Sequence, residues 1–130
     1  MAESSYRRRW RLYRTATGAR VVEKELDALS ADDAADIVAE MKLVAQLGLR
    51  DGGARHLRND IWEVRSSGRD VIHRALFAKQ GRYGHILLAL HVFTKKTQKT
   101  PSAKISVAER RLADWQTRPK RSKSMKSSKK

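Results

Sequence analysis

The 130-residue sequence contains no cysteine. That excludes disulfide scaffolds, thiol nucleophiles and cysteine-ligated zinc, and it leaves the cellular compartment open. Long hydrophobic runs are missing as well. The longest, Ile86 to Val92, is interrupted by His91 and falls far short of the roughly 20 residues that a membrane-spanning helix needs. Residues 1–20 hold no apolar segment of the secretory kind, so no signal peptide is expected and the expected location is cytoplasmic. No glycine-rich phosphate cradle, nucleophile elbow or paired-carboxylate motif is present. His56, His73 and His85 lack metal-ligand spacing with one another or with carboxylates, so neither a metal nor another cofactor is expected.

The most telling absence is of acid. No Asp or Glu lies between Asp70 and Glu109. Lys and Arg total 29 against 14 for Asp and Glu, a net charge of +15 with a pI of about 10.8. Such a balance favours nucleic acid or another anionic surface as partner. Its distribution is uneven. Seven of the fourteen acids fall between Glu23 and Glu40, whereas Gln116 to Lys130 carries seven basic residues and no acid. Setting that tail aside leaves 22 basic and 14 acidic residues, so the body itself stays near +8.

The length suits one domain with a modest core. Residues 1–5 are expected to be disordered, 6–117 to form the domain, and 118–130, ending in PKRSKSMKSSKK, to be a disordered basic tail. Tyr6–Thr15 predicts a short strand, with Trp10 and Leu12 alternating against Arg11 and Tyr13. A helix is predicted over about 19–29, with Val22, Leu26 and Leu29 on one face. Ser30 then reads as the N-cap of a second helix, its hydroxyl accepting the Asp33 amide while Asp32, Asp33 and Asp36 lie at the positive end of the dipole. Ile37, Met41 and Val44 give this helix its stripe, and Gly48 its stop.

From Arg55 the period changes. Ile61–Ser66, Asp70–Ala78 and Tyr83–Thr94 are strand-like runs with short loops between them, which predicts an antiparallel meander. Thr100 and Pro101 open a last helix, with threonine as cap and proline in the first helical position. Its apolar face is Ile105, Ala108, Leu112 and Trp115. The expected fold is a small α+β domain: an antiparallel sheet, an N-terminal helical hairpin and a C-terminal helix, with helices on one face and the other free for binding.

Ile86–Lys104, ILLALHVFTKKTQKTPSAK, concentrates the candidate chemistry. An apolar strand delivers Lys95, Lys96, Thr97, Gln98, Lys99 and Thr100 to the surface, a cationic, hydroxyl-rich turn suited to phosphates. Strand alternation allows Arg65, Arg74, His91, Phe93 and Lys95 to converge on one sheet face. Each has a plainer reading too. Arg65 can simply pair with a nearby acid and Arg74 with Asp70; His91 and Phe93 can belong to the core, and the lysines can form a solvated turn. Glu63 is either a base or the partner of an arginine across the sheet. Arg7, Arg8, Arg9 and Arg11 are expected to add salt-sensitive contacts with RNA.

The segments IWEVR, HRALFA and ILLALHVFTKKTQKTP, followed by the helix AKISVAERRLADW, resemble the HigB-like branch of the RelE superfamily of toxin–antitoxin toxins. The similarity runs from about Trp10 to Trp115, and KKTQKTP at the end of an apolar strand is its most specific part. Val92 stands where the branch usually has glycine after the histidine. Leu76-Phe77 stands where a tyrosine is common, which leaves a tyrosine-dependent step without its phenol. The resemblance implies a RelE-like domain and an endoribonuclease that cuts mRNA on the ribosome and is silenced by an antitoxin, of the helix-turn-helix type. On that reading Arg65 and Arg74 stabilise the transition state, and His91 and Lys95 serve charge and proton transfer. Phe93, Lys96, Lys99, Arg7 and Arg9 would hold RNA. No metal is needed if the substrate's own 2′-hydroxyl attacks phosphorus. Two other readings stay open: a non-catalytic RNA- or DNA-binding module, and a toxin fold that has lost activity and is retained for complex formation.

Overall fold

The computed structural model describes residues 7–119; the disorder expected at 1–5 and along the tail from Lys120 lies outside the described residues. The chain runs β1 (Arg9–Leu12), α1 (Val21–Asp27), α2 (Ala31–Leu47), β2 (Arg55–Arg58), β3 (Ile61–Ser67), β4 (Ile72–Gln80), β5 (Ile86–Lys95) and α3 (Ser102–Gln116). The five strands form one sheet in the order β1-β5-β4-β3-β2. The α+β class, the N-terminal helices, the meander and the C-terminal helix are all as the sequence predicts.

Three details differ. β1 runs parallel to β5, with Arg9 opposite Ile86 and Leu12 opposite Ala89, while every other pair is antiparallel. A short turn forces its flanking strands antiparallel, but both helices and three strands separate β1 from β5, so local spacing says nothing of direction. The second difference is β2, RHLR, too polar to read as a strand. It forms a hairpin with β3 through Asn59-Asp60, with Arg58 opposite Ile61. Asn59 takes the left-handed conformation (φ 52°) that such a tight turn requires and asparagine tolerates.

The third difference concerns cover. All of Ile72–Phe77 and Leu87–Phe93 is buried, and strands apolar on both faces must be covered on both. α2 covers one face with Ile37, Met41 and Val44, and the Trp10 Nε1–H donates to the Met41 carbonyl at 2.7 Å. α3 covers much of the other with Ile105, Ala108 and Leu112. The second face is therefore only partly free, and the cationic turn shares it with α3.

Ser30 caps α2 as expected, accepting the Asp33 amide at 3.1 Å, and Gly48 ends it with φ 99°. The start of α3 differs by one residue. Pro101 occupies the cap position and Ser102 begins the helix, because the Thr100 hydroxyl turns inward to donate to the buried carboxylate of Glu63.

An irregularity in β5 ties three elements together. The β4–β5 register slips between Leu76 and Phe77, leaving Leu90 without an opposite residue, and Arg111 of α3 donates to the Leu90 carbonyl at 2.9 Å. β1 pairs only as far as Ala89, and beyond it the Val92 amide donates to Glu25 Oε1 of α1 at 2.9 Å. Glu25 Oε2 accepts from Arg111 at 2.9 Å, closing the set.

Gly52 supplies a check on the packing behind α2. A Cβ there would lie 2.4 Å from Val44 Cα and 2.7 Å from the carbonyl oxygens of Gly48 and Leu43, all backbone atoms of a helix end that cannot swing away. Gly52→Ala is expected to destabilise the fold by about 1–3 kcal/mol, read as a lowered urea midpoint with unchanged slope.

Candidate nucleic-acid interface

Register brings the predicted site residues into one array. Arg65 of β3 lies opposite Arg74 of β4, which lies opposite Phe93 of β5. His91 is the next same-face residue on β5 in one direction, opposite Leu76, and Lys95 the next in the other, opposite Ile72. All five share the face that α3 partly covers.

Glu63 sits at the centre, with none of its side chain exposed. Arg65 Nε donates to its Oε1 at 2.8 Å, Arg74 Nε lies 3.3 Å from Oε2, and Arg55 approaches Oε1 at 3.9 Å from the rim. The arginines then reach past Glu63 to the turn that follows β5. Arg74 Nη2 donates to the carbonyls of Thr97 and Gln98, the latter at 2.9 Å, and Arg65 donates to the carbonyl and side-chain oxygen of Gln98. The Thr100 hydroxyl closes the loop onto Glu63. Carbonyls of the turn thus point inward to buried cations, while Lys95, Lys96, Thr97, Gln98 and Lys99 are exposed.

Both arginines have an acid partner, as in their plainer reading. Arg74 is wholly buried, paired with Glu63 and bound to two carbonyls, so it holds the turn from inside and has no exposed surface. Its ion partner is Glu63 rather than Asp70, which sits in the β3–β4 turn with φ 61°. Burial lowers its pKa from the ordinary arginine value, and the neighbouring Arg65 adds to that, with Glu63 opposing. Arg65 retains 20% side-chain exposure at the rim.

His91 is nearly buried, 8% exposed. Its Nδ1 lies 3.1 Å from Glu25 Oε1, and its Nε2 is sealed from solvent without a hydrogen-bond partner. The ring packs 5.0 Å from Phe93. Phe93 is equally buried and roofed by the Lys104 ammonium 5.3 Å from its centre, so it belongs to the core here rather than offering an open stacking surface. Burial alone would raise the Glu25 carboxyl, but His91, the Val92 amide and Arg111 outweigh it and hold the pKa below the usual carboxylate value.

Arg7 and Arg9 are exposed but distant. Arg9 is opposite Ile86, nine residues before Lys95 on the same strand, or about 30 Å at 3.3 Å per residue. Sequence reasoning overlooked Glu25, whose only signal is membership of an acid-rich helix, and Lys104, which a helical pattern does not single out. Among the described residues, no three His, Asp or Glu side chains group to hold a metal ion.

Comparison with known proteins shows the family. The profile of the family "Phage derived protein Gp49-like (DUF891)" matches residues 24–113. Probable endoribonuclease HigB1 of Mycobacterium tuberculosis, strains CDC 1551 / Oshkosh and H37Rv, is 32% identical over 107 residues, covering 82% of this chain and 83% of the relative.

Two outcomes are expected. Glu63→Ala leaves Arg74 as an uncompensated buried charge and should cost about 3–5 kcal/mol in chemical denaturation. Glu25, whose pKa is lowered by folding, contributes stability that is complete above the unfolded carboxylate value of about 4.3 and is lost as pH falls through the lowered folded one. Glu25→Gln should therefore lower stability at pH 7 by about 1–3 kcal/mol, and its stability should fall less steeply than the parent's between pH 5 and pH 2.

Proposed function

Because the chain belongs to the phage derived protein Gp49-like family, we propose that it is a HigB-type toxin: an endoribonuclease that cuts mRNA on the translating ribosome. The observation that carries this reading is the turn of residues 95–100. Its Thr97 and Gln98 carbonyls are withdrawn onto the buried Arg74 and the half-buried Arg65 and its lysines left outside, with no acid between Asp70 and Glu109 to oppose them. A turn held in this way presents cations to a sugar–phosphate backbone with little ordering left to do on binding.

The chemistry is transesterification within the substrate. The 2′-oxygen forms a bond to the adjacent phosphorus as the bond from phosphorus to the 5′-oxygen breaks, giving a 2′,3′-cyclic phosphate and a 5′-hydroxyl. One proton leaves the 2′-hydroxyl and one is delivered to the 5′-oxygen, so no metal is required. Lys95, Lys96 and Lys99 hold phosphates, Lys95 nearest the array. Arg65 reaches the phosphorane from the rim, and Arg74 acts through the turn it fixes. His91, whose Nδ1 lies 3.1 Å from Glu25, is assigned proton transfer once bound RNA has opened its buried Nε2. Candidate groups for proton transfer beside the turn are few, which favours a ribosome that helps to position the message. The protein acts in the cytoplasm, and its antitoxin, of the helix-turn-helix type, finds two contrasting surfaces: the acidic α1–α2 hairpin and the basic face. Residues 6–117 suffice as the toxin domain, and the basic tail from 118 adds RNA affinity.

One observation favours a second reading, a non-catalytic RNA-binding module: the groups best suited to proton transfer are covered, and the exposed ones are lysines. Primer extension on a defined mRNA in a translating extract separates the two. The ribonuclease reading predicts discrete, translation-dependent cuts ending in 2′,3′-cyclic phosphate. Lys95→Ala/Lys96→Ala/Lys99→Ala should abolish them and flatten the salt dependence of single-stranded RNA binding by about 2 in log–log slope. Intact message together with tight, salt-sensitive RNA binding would establish the module instead.

A further inference from the structure

A second aromatic and cationic site lies at the far end of the sheet, on the opposite face. A cavity of about 300 Å³ there is lined by Arg50, His56, Asn59, Asp60, Trp62 and Lys79. Trp62 and Lys79 belong to the α2 face of β3 and β4, since Trp62 is opposite Phe77 and Lys79 is two residues further along β4. Lys79 is seven residues from Ile72, the partner of Lys95, so about 23 Å of strand and the thickness of the sheet separate this cavity from the cationic turn.

Its walls are built for a flat, electron-rich group. Trp62 is half-buried, so its indole is fixed by the sheet yet remains reachable. His56 packs edge-on against it, ring centres 5.3 Å apart, and Arg50 places its guanidinium 5.1 Å from the indole centre. The carbonyl of Asn59 can only accept, so His56 Nε2 must donate to it at 2.6 Å, which holds the imidazole upright. Arg50, Lys79 and His56 are exposed, and Asp60 is the one carboxylate of the wall. The same end of the sheet also carries the exposed Arg82 in the β4–β5 turn, whereas β1 lies at the far edge and, with Trp10 on the α2 face, turns Arg9 to the other.

We propose that this cavity binds one unpaired nucleotide of single-stranded RNA, as an anchor separate from the cleavage face. The base stacks on Trp62 in the place now taken by the Arg50 guanidinium, and the displaced Arg50 joins Lys79 on the phosphate. Asp60 accepts a hydrogen bond from the amino group of the base, which makes cytosine a suitable occupant. A base and its phosphate match both the cavity volume and the pairing of one indole with two cations, whereas an acidic peptide would use the cations and leave the indole idle. The inference rests on the RNA reading of the preceding subsection.

The test uses the full chain and a short fluorescein-labelled oligocytidylate. Fluorescence anisotropy is recorded across a salt series, and the ultraviolet crosslink sites are located by peptide mass spectrometry. The expected result is a crosslink within the β2–β3 hairpin that contains His56 and Trp62. Trp62→Ala should bind about tenfold more weakly. Because that variant disturbs packing, the exposed pair Arg50→Glu/Lys79→Glu is measured beside it. With an unchanged thermal melt, it should lose the hairpin crosslink and weaken binding at least as much. Crosslinks confined to residues 95–104, with binding unmoved by the pair but lost in Lys95→Ala/Lys96→Ala/Lys99→Ala, would overturn the pocket and leave the ribonuclease reading standing. No binding of RNA by the parent protein would overturn both. Unaltered RNA binding, joined to loss of a co-expressed antitoxin in the charge-reversed pair, would give the cavity to a protein partner and overturn the inference.

Discussion

A carboxylate with no exposed surface, Glu63, is the point on which the cationic face depends. Alone it would be costly to bury, and Arg65 and Arg74 would be costlier still, since each long cation on a sheet face must find counter-charge or acceptors. Together they form a set in which one anion accepts from Arg65 and Thr100 and lies 3.3 Å from Arg74, and the Nη2 group of each arginine passes on to the turn carbonyls, Arg74 to Thr97 and Gln98 and Arg65 to Gln98. The excess of cations over anions inside is what pulls those carbonyls inward. The lysines outside are a consequence: a tight turn whose carbonyls face the core shows side chains to solvent, and here those side chains are Lys95, Lys96 and Lys99.

The same logic of unpaired backbone groups explains the opposite edge of the array. β1 is short, and past Ala89 the edge of β5 would be left with open amide and carbonyl groups. Glu25 and Arg111 take them, from α1 and α3 respectively, and in pairing with each other they bring His91 into a carboxylate's reach. The histidine's setting is thus inherited from a need to close the sheet. Charge is likewise divided by position. Acids gather on the α1–α2 hairpin, cations occupy both ends of the sheet, and α2 and α3 separate those ends onto different faces.

Much of this could be read in the sequence, for reasons that differ by element. Ser30 and Gly48 bracket α2 because capping chemistry is local, involving residues three or four apart. The convergence of Arg65, Arg74, His91, Phe93 and Lys95 followed from strand alternation and short loops, which together leave little freedom in register. What sequence could not reveal depends on contacts across long separations. Glu25 and His91 are 66 positions apart, and nothing near either points to the other. The burial of Phe93 under Lys104 needs the path of α3, and the parallel direction of β1 needs the whole chain between it and β5. Thr100 looked like a helix cap because threonine before proline usually is one; the buried carboxylate offered its hydroxyl a stronger partner. β2 was missed because an edge strand buries little and need not be apolar.

The central claim is that Glu63 fixes the turn of residues 95–100 and that this fixed turn is what RNA meets. Amide hydrogen exchange over residues 96–100, compared between the parent protein and Glu63→Gln and read beside message cleavage by the same samples, tests it most directly. The account predicts that the variant, still folded by circular dichroism, exchanges these amides faster and loses cleavage in step. Unchanged exchange, or cleavage that survives a loosened turn, would contradict it.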